Sequence, residues 1–248
     1  MSEIVAIIGG TGIYALEGFD LRKEIIKTEY GNVTVERTDS LIFLNRHAPN
    51  HSVPPHKVNY RANIKALQQA GVKRLCAAYA VGCINPDFDL GIPVILDDFI
   101  DFSSGREHSF FDTITNGVGH VEMSAPFCPL LSKTLENEAR QLGLKTRFGG
   151  VYGSVNGPRF ETPAEIRAYR MLGADVIGMT LVPEIPLARE AGMCVAALAY
   201  SINWGAGMTD TIEFVTDNVE ETKLMMLRAM INTLTNTKDD QCSPAKIL

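Results

Sequence analysis

The chain has 248 residues, 46% of them apolar and 21% charged, with a formal net charge of −6. That length suits one large α/β domain or two small ones, with a core that needs no disulfide staples. The negative balance argues against a broad basic face for nucleic acid, yet leaves room for a local cluster of donors around a small anion. The five cysteines, Cys76, Cys83, Cys128, Cys194 and Cys242, are odd in number and form no CxxC pair. This pattern speaks against a disulfide framework or a zinc ribbon and for a reducing, cytoplasmic setting. The first residues enter an apolar run without a basic leader. No apolar run has the length of a membrane span, so neither a signal peptide nor a membrane segment is expected.

In chain order, residues 4–8 are predicted as a buried strand that ends in the turn Gly9-Gly10-Thr11-Gly12. Residues 33–35 and 41–44 form a predicted strand pair, and 59–70 a helix stopped by Gly71. Strands follow at 75–81 and 94–96, a helix at 130–142 ended by Gly143, and a strand at 151–155. The helix at 163–172 is sharply punctuated: Thr162 at its N-cap, Pro163 at the first position, Glu165 at the third and Gly173 beyond its end. Residues 176–177, 183–191 and 194–202 read as strand, helix and strand, and 219–234 as the last helix. The polar tail from about 236 reads as frayed. With no linker and no repeat, the alternation predicts a single α/β domain over residues 1–248 with a mixed central sheet. Ligands of such sheets gather at the carboxyl ends of the strands.

Five segments at those ends carry chemistry. Gly9-Gly10-Thr11-Gly12 can bring backbone N–H groups and a hydroxyl to an anion, though it matches neither a P-loop nor a dinucleotide fingerprint. Its plain alternative is a strand-end turn. Arg46, His47, His51 and His56 lie within 11 positions. An arginine fork beside imidazoles suits phosphate better than a metal, because the arginine repels a cation. A solvated loop is the alternative. Phe160 and Glu161, at the entrance of a helix, can stack on a planar heterocycle and accept from its ring N–H groups. Glu161 could instead serve the helix dipole, but Thr162 and Glu165 already fill the capping role. Thr180 stands before a helix N-terminus, an anion position, with Met179 beside it for apolar contact or for the core. Asn203 ends the most apolar strand and can pair with a purine edge or start a turn.

Taken in order, Gly9-Gly10-Thr11-Gly12, Arg46-His47, Tyr79-Ala80-Val81-Gly82, Gly157-Pro158-Arg159-Phe160-Glu161, Gly178-Met179-Thr180 with Val182-Pro183-Glu184, and Asn203 resemble the trimeric purine nucleoside phosphorylases and methylthioadenosine phosphorylases. The resemblance runs from about residue 4 to about residue 235. It implies a twisted mixed β-sheet partly closed into a barrel and flanked by helices. It also implies phosphorolysis of a purine nucleoside to free base and ribose 1-phosphate, with phosphate as co-substrate and no metal or other cofactor. Thr11, Arg46, His47, His51, Tyr79, Ala80 and Thr180 are then the phosphate residues, although Tyr79 stands where the methylthioadenosine enzymes carry threonine. Phe160, Glu161, Met179, Asn203 and Gly205 surround base and sugar. Asn203, Glu161 and His47 are the catalytic candidates. His120 matches a residue that reaches into a neighbouring subunit's ribose site, which implies a homotrimer.

The same resemblance bears on the base. The methylthioadenosine enzymes place an aspartate at the position of Asn203, a second acid at that of Gly205 and a small hydroxyl residue at that of Glu161. Asn203 can donate to a 6-oxo oxygen and accept at N7, and Glu161 can accept from the N1–H that adenine lacks. A 6-oxopurine is therefore expected, with methylthioadenosine phosphorylase and a non-catalytic nucleoside-binding protein as the alternatives. Residues 103–111 resemble a stretch of methylthioinosine phosphorylases. Residues 214–218 should line the 5′ pocket, where Asp217 or Asn218 could hold a hydroxyl and Phe214 or Val215 could cover a methylthio group.

Overall fold

The computed structural model describes residues 3–10, 13, 19–48, 52–112, 119–242 and 244–248. Thr11 and His51 lie outside them. Strands and helices follow as β1 (Ile4–Gly9), β2 (Arg22–Thr28), β3 (Gly31–Arg37), β4 (Leu41–Asn45), α1 (Tyr60–Gln69), β5 (Val72–Cys83), β6 (Pro93–Ile95) and β7 (Asp98–Asp101). Then come α2 (Pro129–Gln141), β8 (Arg147–Phe148), β9 (Val151–Ser154), α3 (Pro163–Met171), β10 (Val176–Gly178), α4 (Leu181–Glu190), β11 (Cys194–Trp204) and α5 (Val219–Asn236).

One mixed sheet runs β2-β3-β4-β1-β5-β10-β9-β7 and branches at β5, which also pairs with β11; β6 and β8 continue that branch. The pairs β4–β1, β1–β5 and β5–β11 are parallel, whereas β5–β10 is antiparallel. The expected curl of the sheet thus takes the form of a branch on one long strand. The central strands are apolar on both sides because both faces are covered. Ala6, Ile8, Ile42 and Leu44 join the cluster with α1 and α4. Their neighbours Val5, Ile7, Leu41 and Phe43 join the one with α2 and α5. The period of two divides each strand between two helical layers.

The helix signals act as the physical chemistry requires. Thr162 and Glu165 form a reciprocal capping box on α3, and Gly71 takes φ +85° just beyond α1. The strand β2, by contrast, has no apolar run. Its Ile25 is exposed, and it is held by its antiparallel partner β3.

The tail departs from the expectation of fraying. Arg74 is buried and must be paired: it donates to Asp239 at 2.6 Å, to the Leu234 carbonyl at 2.7 Å and to Glu3. Asn236 donates to Glu138 at 2.8 Å. Ile247 bridges to Val121, and Leu248 exchanges backbone bonds with His120. A buried guanidinium on β5, which composition cannot reveal, recruits the polar tail. No helix among the described residues is long and apolar enough to cross a membrane.

Arg74→Met is expected to cost about 2 kcal/mol, since Glu3 and Asp239 can rehydrate once released. Thermal denaturation should show a fall in Tm of roughly 4–8 °C. An unchanged melt would show that this contact does not hold the tail.

Candidate active site

A cavity of about 320 Å³ opens where β4, β5, β10 and β11 end. Arg46 and His47 follow β4, Ala80 and Gly82 belong to β5, Met179 and Thr180 follow β10, and Asn203 lies near the end of β11; all border the cavity. Phe160, Glu161 and Phe214 also line it. The ends of four strands therefore bring together residues separated by more than 150 positions.

Arg46 is the electrostatic centre of this region. It is 3% exposed. Its Nε donates to Glu184 Oε2 at 2.7 Å, one Nη donates to Glu184 Oε1 at 2.6 Å and the other Nη to the Ala78 carbonyl at 2.9 Å. Burial works against the charge, and the Glu184 carboxylate more than restores it, holding the guanidinium above its ordinary pKa. Tyr79 completes the arrangement. Its hydroxyl donates to Glu184 at 2.7 Å and its ring lies 4.3 Å from the Arg46 guanidinium. Burial first, and then Glu184, push the Tyr79 hydroxyl pKa up, so it stays a donor. A guanidinium has five N–H groups. Three are engaged here, which leaves one on each terminal nitrogen of Arg46. Gly10 makes the fit possible, since a Cβ there would lie 2.4 Å from Arg46 Nη1.

His47 is likewise buried, and its Nδ1 lies 2.9 Å from the Val53 carbonyl. A carbonyl only accepts, so Nδ1 carries the proton in this contact. Thr180 is the N-cap residue of α4, and its backbone N–H reaches the Tyr152 hydroxyl at 3.4 Å. Val182 is non-helical, so regular α4 geometry begins at Pro183, as the sequence predicts.

At the other end, β11 runs two residues further than expected, through a bulge between Ser201 and Asn203. Bulges re-aim side chains. Asn203 is 4% exposed and donates one amide N–H to the Trp204 carbonyl at 2.8 Å. This contact orients the amide, leaving Oδ1 and the second N–H for a ligand. The adjacent Gly82 leaves room, because a Cβ on it would come within 3.4 Å of Asn203 Nδ2.

Two carboxylates four residues apart have opposite environments. Arg159 and the α3 cap pull Glu165 down to about 2. Burial pushes the Glu161 carboxyl up from its ordinary value. Phe160 is half exposed, with its ring centroid 6.4 Å from that of Phe214. In the segment 214–218, Phe214 borders the cavity. Val215 turns its side chain toward Gly91 and its N–H to the Ile202 carbonyl. Asn218 is the N-cap residue of α5.

Three expected site residues stand elsewhere. Tyr79 supports Arg46 from beneath, because its hydroxyl is committed to Glu184. Gly205 faces the core: a Cβ there would lie 2.6 Å from Ile84 and 3.2 Å from Ile166. His120 is exposed and joined to the chain's last residue rather than to this cavity. Thr11 and His51 lie outside the described residues.

Two residues escaped the sequence reading. Glu184 was visible only as the end of a motif, and its full burial and its distance of 138 positions from Arg46 concealed the pairing. Arg106 donates to the carbonyls of Val182 at 2.5 Å, Asn156 at 2.9 Å and Met179 at 2.9 Å. It ties the loop before Phe160 to the loop that bears Thr180. A lone arginine in a polar stretch gave no local signal for that role.

Residues 4–232 match the model of the phosphorylase superfamily. The chain belongs to that superfamily. It is 44% identical over 244 residues to the probable 6-oxopurine nucleoside phosphorylase of Thermococcus kodakarensis, covering 91% of each chain. It is 43% identical to the probable S-methyl-5′-thioinosine phosphorylase of Methanopyrus kandleri, over 88% of this chain and 86% of the other. Among solved structures it resembles a double mutant of the adenosine/methylthioadenosine phosphorylase of Schistosoma mansoni in complex with adenine. The TM-score is 0.88 and the identity 28%, covering 97% of this chain and 94% of the other.

Glu184→Gln removes the only carboxylate bonded to Arg46 among the described residues. It is expected to cost about 3 kcal/mol by leaving a buried charge uncompensated. Inorganic phosphate should then raise Tm more in the variant than in the parent. Equal increments would show that Arg46 does not face the anion.

Proposed function

We propose that this chain catalyses the phosphate-dependent cleavage of the N-glycosidic bond of 6-oxopurine nucleosides, as a pentosyltransferase. The observation that carries the proposal is a single cavity lined both by Arg46, His47 and Thr180, which suit an anion, and by Asn203 and Glu161, which suit a base. Phosphate is the co-substrate, and the reaction calls for no metal or organic cofactor. Thr11 and His51 join the phosphate set on the family resemblance. Ala80 borders the same cavity.

The chemistry follows from these two sets of residues. Phosphate held by Arg46, His47 and Thr180 meets the anomeric carbon as the base leaves, while positive charge builds on the ribose and negative charge on the purine. Phosphate opposes the first charge. Asn203 stabilises the second by donating to O6, and its carbonyl accepts from N7–H once water has protonated N7. Ionised Glu161 accepts from N1–H, and Phe160 and Met179 pack on base and sugar. Positioning and preorganised electrostatics supply the rate, without a covalent enzyme intermediate.

The 6-oxo preference rests on Asn203 and Glu161, and the surroundings of Gly205 support it. The second acid of the methylthioadenosine enzymes would collide there with Ile84 and Ile166. A second reading, 5′-methylthioinosine as substrate, draws on the Phe160–Phe214 pair in the cavity lining, which offers an apolar wall. In either case we place the enzyme in the cytoplasm as a homotrimer, with His120 offered to a neighbouring subunit. Its position off the cavity of its own chain supports that assignment.

Release of free base from inosine, guanosine, adenosine, methylthioinosine and methylthioadenosine, with and without phosphate, tests the proposal. Discrimination against the 6-amino substrates should reach roughly 10⁴-fold, because a mismatched base leaves buried polar groups unpaired. No phosphate-dependent release from any substrate would overturn the assignment. Asn203→Asp should shift preference toward 6-aminopurines.

The Glu161 carboxyl also predicts a pH dependence. Its pKa is raised by burial, so below it the neutral acid prevails and accepts from N1–H more weakly than the carboxylate does. The kcat/KM for inosine should rise with pH through a value above the ordinary glutamate pKa. The protonated form can donate to N1 of adenine, so the inosine-to-adenosine ratio should rise along the same limb. In Glu161→Gln that limb should vanish; its persistence would assign it to another group.

A further inference from the structure

Cys128, Cys194 and Cys242 come from three distant parts of the chain, yet their sulfurs all lie within 4.8 Å of one another. Cys128 is the N-cap residue of α2, fixed by its N–H bond to the Val195 carbonyl at 2.7 Å. Cys194 is the first residue of β11. Cys242 follows the single turn of 3-10 helix Asp239–Gln241, and its N–H bonds to the Asp239 carbonyl at 3.2 Å. That turn is itself anchored through Arg74 and Asp239. Helix, sheet and tail thus each present one thiol to the same point. Cys128 and Cys194 are buried and Cys242 is partly exposed. Leu131, Leu135 and Leu144 belong to the same apolar cluster as Cys128 and Cys194.

We propose that these three thiols form a binding site for one thiophilic d¹⁰ metal ion, of the zinc(II) or copper(I) class, remote from the phosphorolysis cavity. Two features carry the assignment. The donor set is all sulfur, and soft donors select such ions over magnesium or calcium. The spacing is close to what an ion requires. Metal–sulfur bonds of about 2.3 Å place tetrahedral ligands about 3.8 Å apart, so closure needs only small side-chain adjustments. Cys242 leaves one side of the site open, so a fourth position on zinc can be taken by water.

The ion would reinforce a junction that hydrogen bonds already draw together. It would join the start of α2, the start of β11 and the C-terminal tail, which a few residues later pairs with the segment of His120. Loaded protein should therefore resist heat and proteolysis of the tail.

The test uses the full chain, reduced, stripped of metal and kept without oxygen. Cadmium(II), as a spectroscopic stand-in, is titrated in while thiolate-to-metal charge-transfer absorption is followed; zinc(II) and copper(I) are then added in competition. One equivalent per chain is expected. Cys242→Ser and Cys128→Ser should each weaken binding by roughly 100-fold, as loss of one of three ligands requires, while Cys83→Ser should leave the titration unchanged. Inosine phosphorolysis by the parent should be the same with and without zinc, which separates this site from the cavity. Absence of charge-transfer absorption, or binding unaltered in Cys242→Ser, would overturn the proposal. So would a thiol titration showing that two of the three sulfurs pair as a disulfide and that reduction restores no metal uptake.

Discussion

Arg46 is a permanent cation only 3% exposed, and much of the surrounding architecture answers that one constraint. Its counter-charge is Glu184, carried by the first turn of α4. For the pair to meet, the end of β4 and the start of α4 must be held in one geometry. Gly10 must lack a side chain and Tyr79 must donate to the carboxylate. A buried pair of this kind adds little net stability by itself, because desolvation offsets much of the attraction. Its effect is to make wrong arrangements costly, so the two remaining Arg46 N–H groups are preset in direction. An anion arriving there meets donors that need no reorganisation.

Around that centre the cavity is lined by two kinds of chemistry. Residues after β4 and β10 supply donors, and residues near the end of β11 and before α3 supply the polar groups suited to a planar base. Arg106 connects the two sets, since its guanidinium accepts no substitute geometry among the carbonyls of Asn156, Met179 and Val182. The two sets are therefore not on independent loops. A shift of one drags the other, which suits a reaction in which charge separates across a fixed distance.

Much of this was readable from local patterns, for identifiable reasons. The strands around the cavity are buried on both faces, so β1, β5 and β11 announced themselves as apolar runs, and α3 carried its caps in four residues. Glu161 could be separated from Glu165 because the capping role was visibly taken. Pairings over long separations were illegible. Arg46 with Glu184, Arg74 with Asp239 and the three cysteines depend on topology, which periodicity does not encode. The strand β2 was missed because its partner β3, rather than burial, sustains it. The directions of the Tyr79 side chain and of the Gly205 Cα were illegible for a related reason. A motif identifies residues near a site, but the alternation of a strand or the crowding at a Cα decides which of them face it.

The tail shows how such unreadable pairings shape the molecule beyond its cavity. Arg74 is on the long strand from which the sheet branches, and its burial obliges a polar segment to fold back across the end of α5. That return places Ile247 and Leu248 beside Val121 and His120. The exposed His120 is consequently set by the last residues of its own chain. If His120 serves a neighbouring subunit, the geometry of that distant cavity depends on the ion pair between Arg74 and Asp239 in the donor subunit. Stability of the tail and completeness of the site then become one physical problem, linked through a single buried guanidinium.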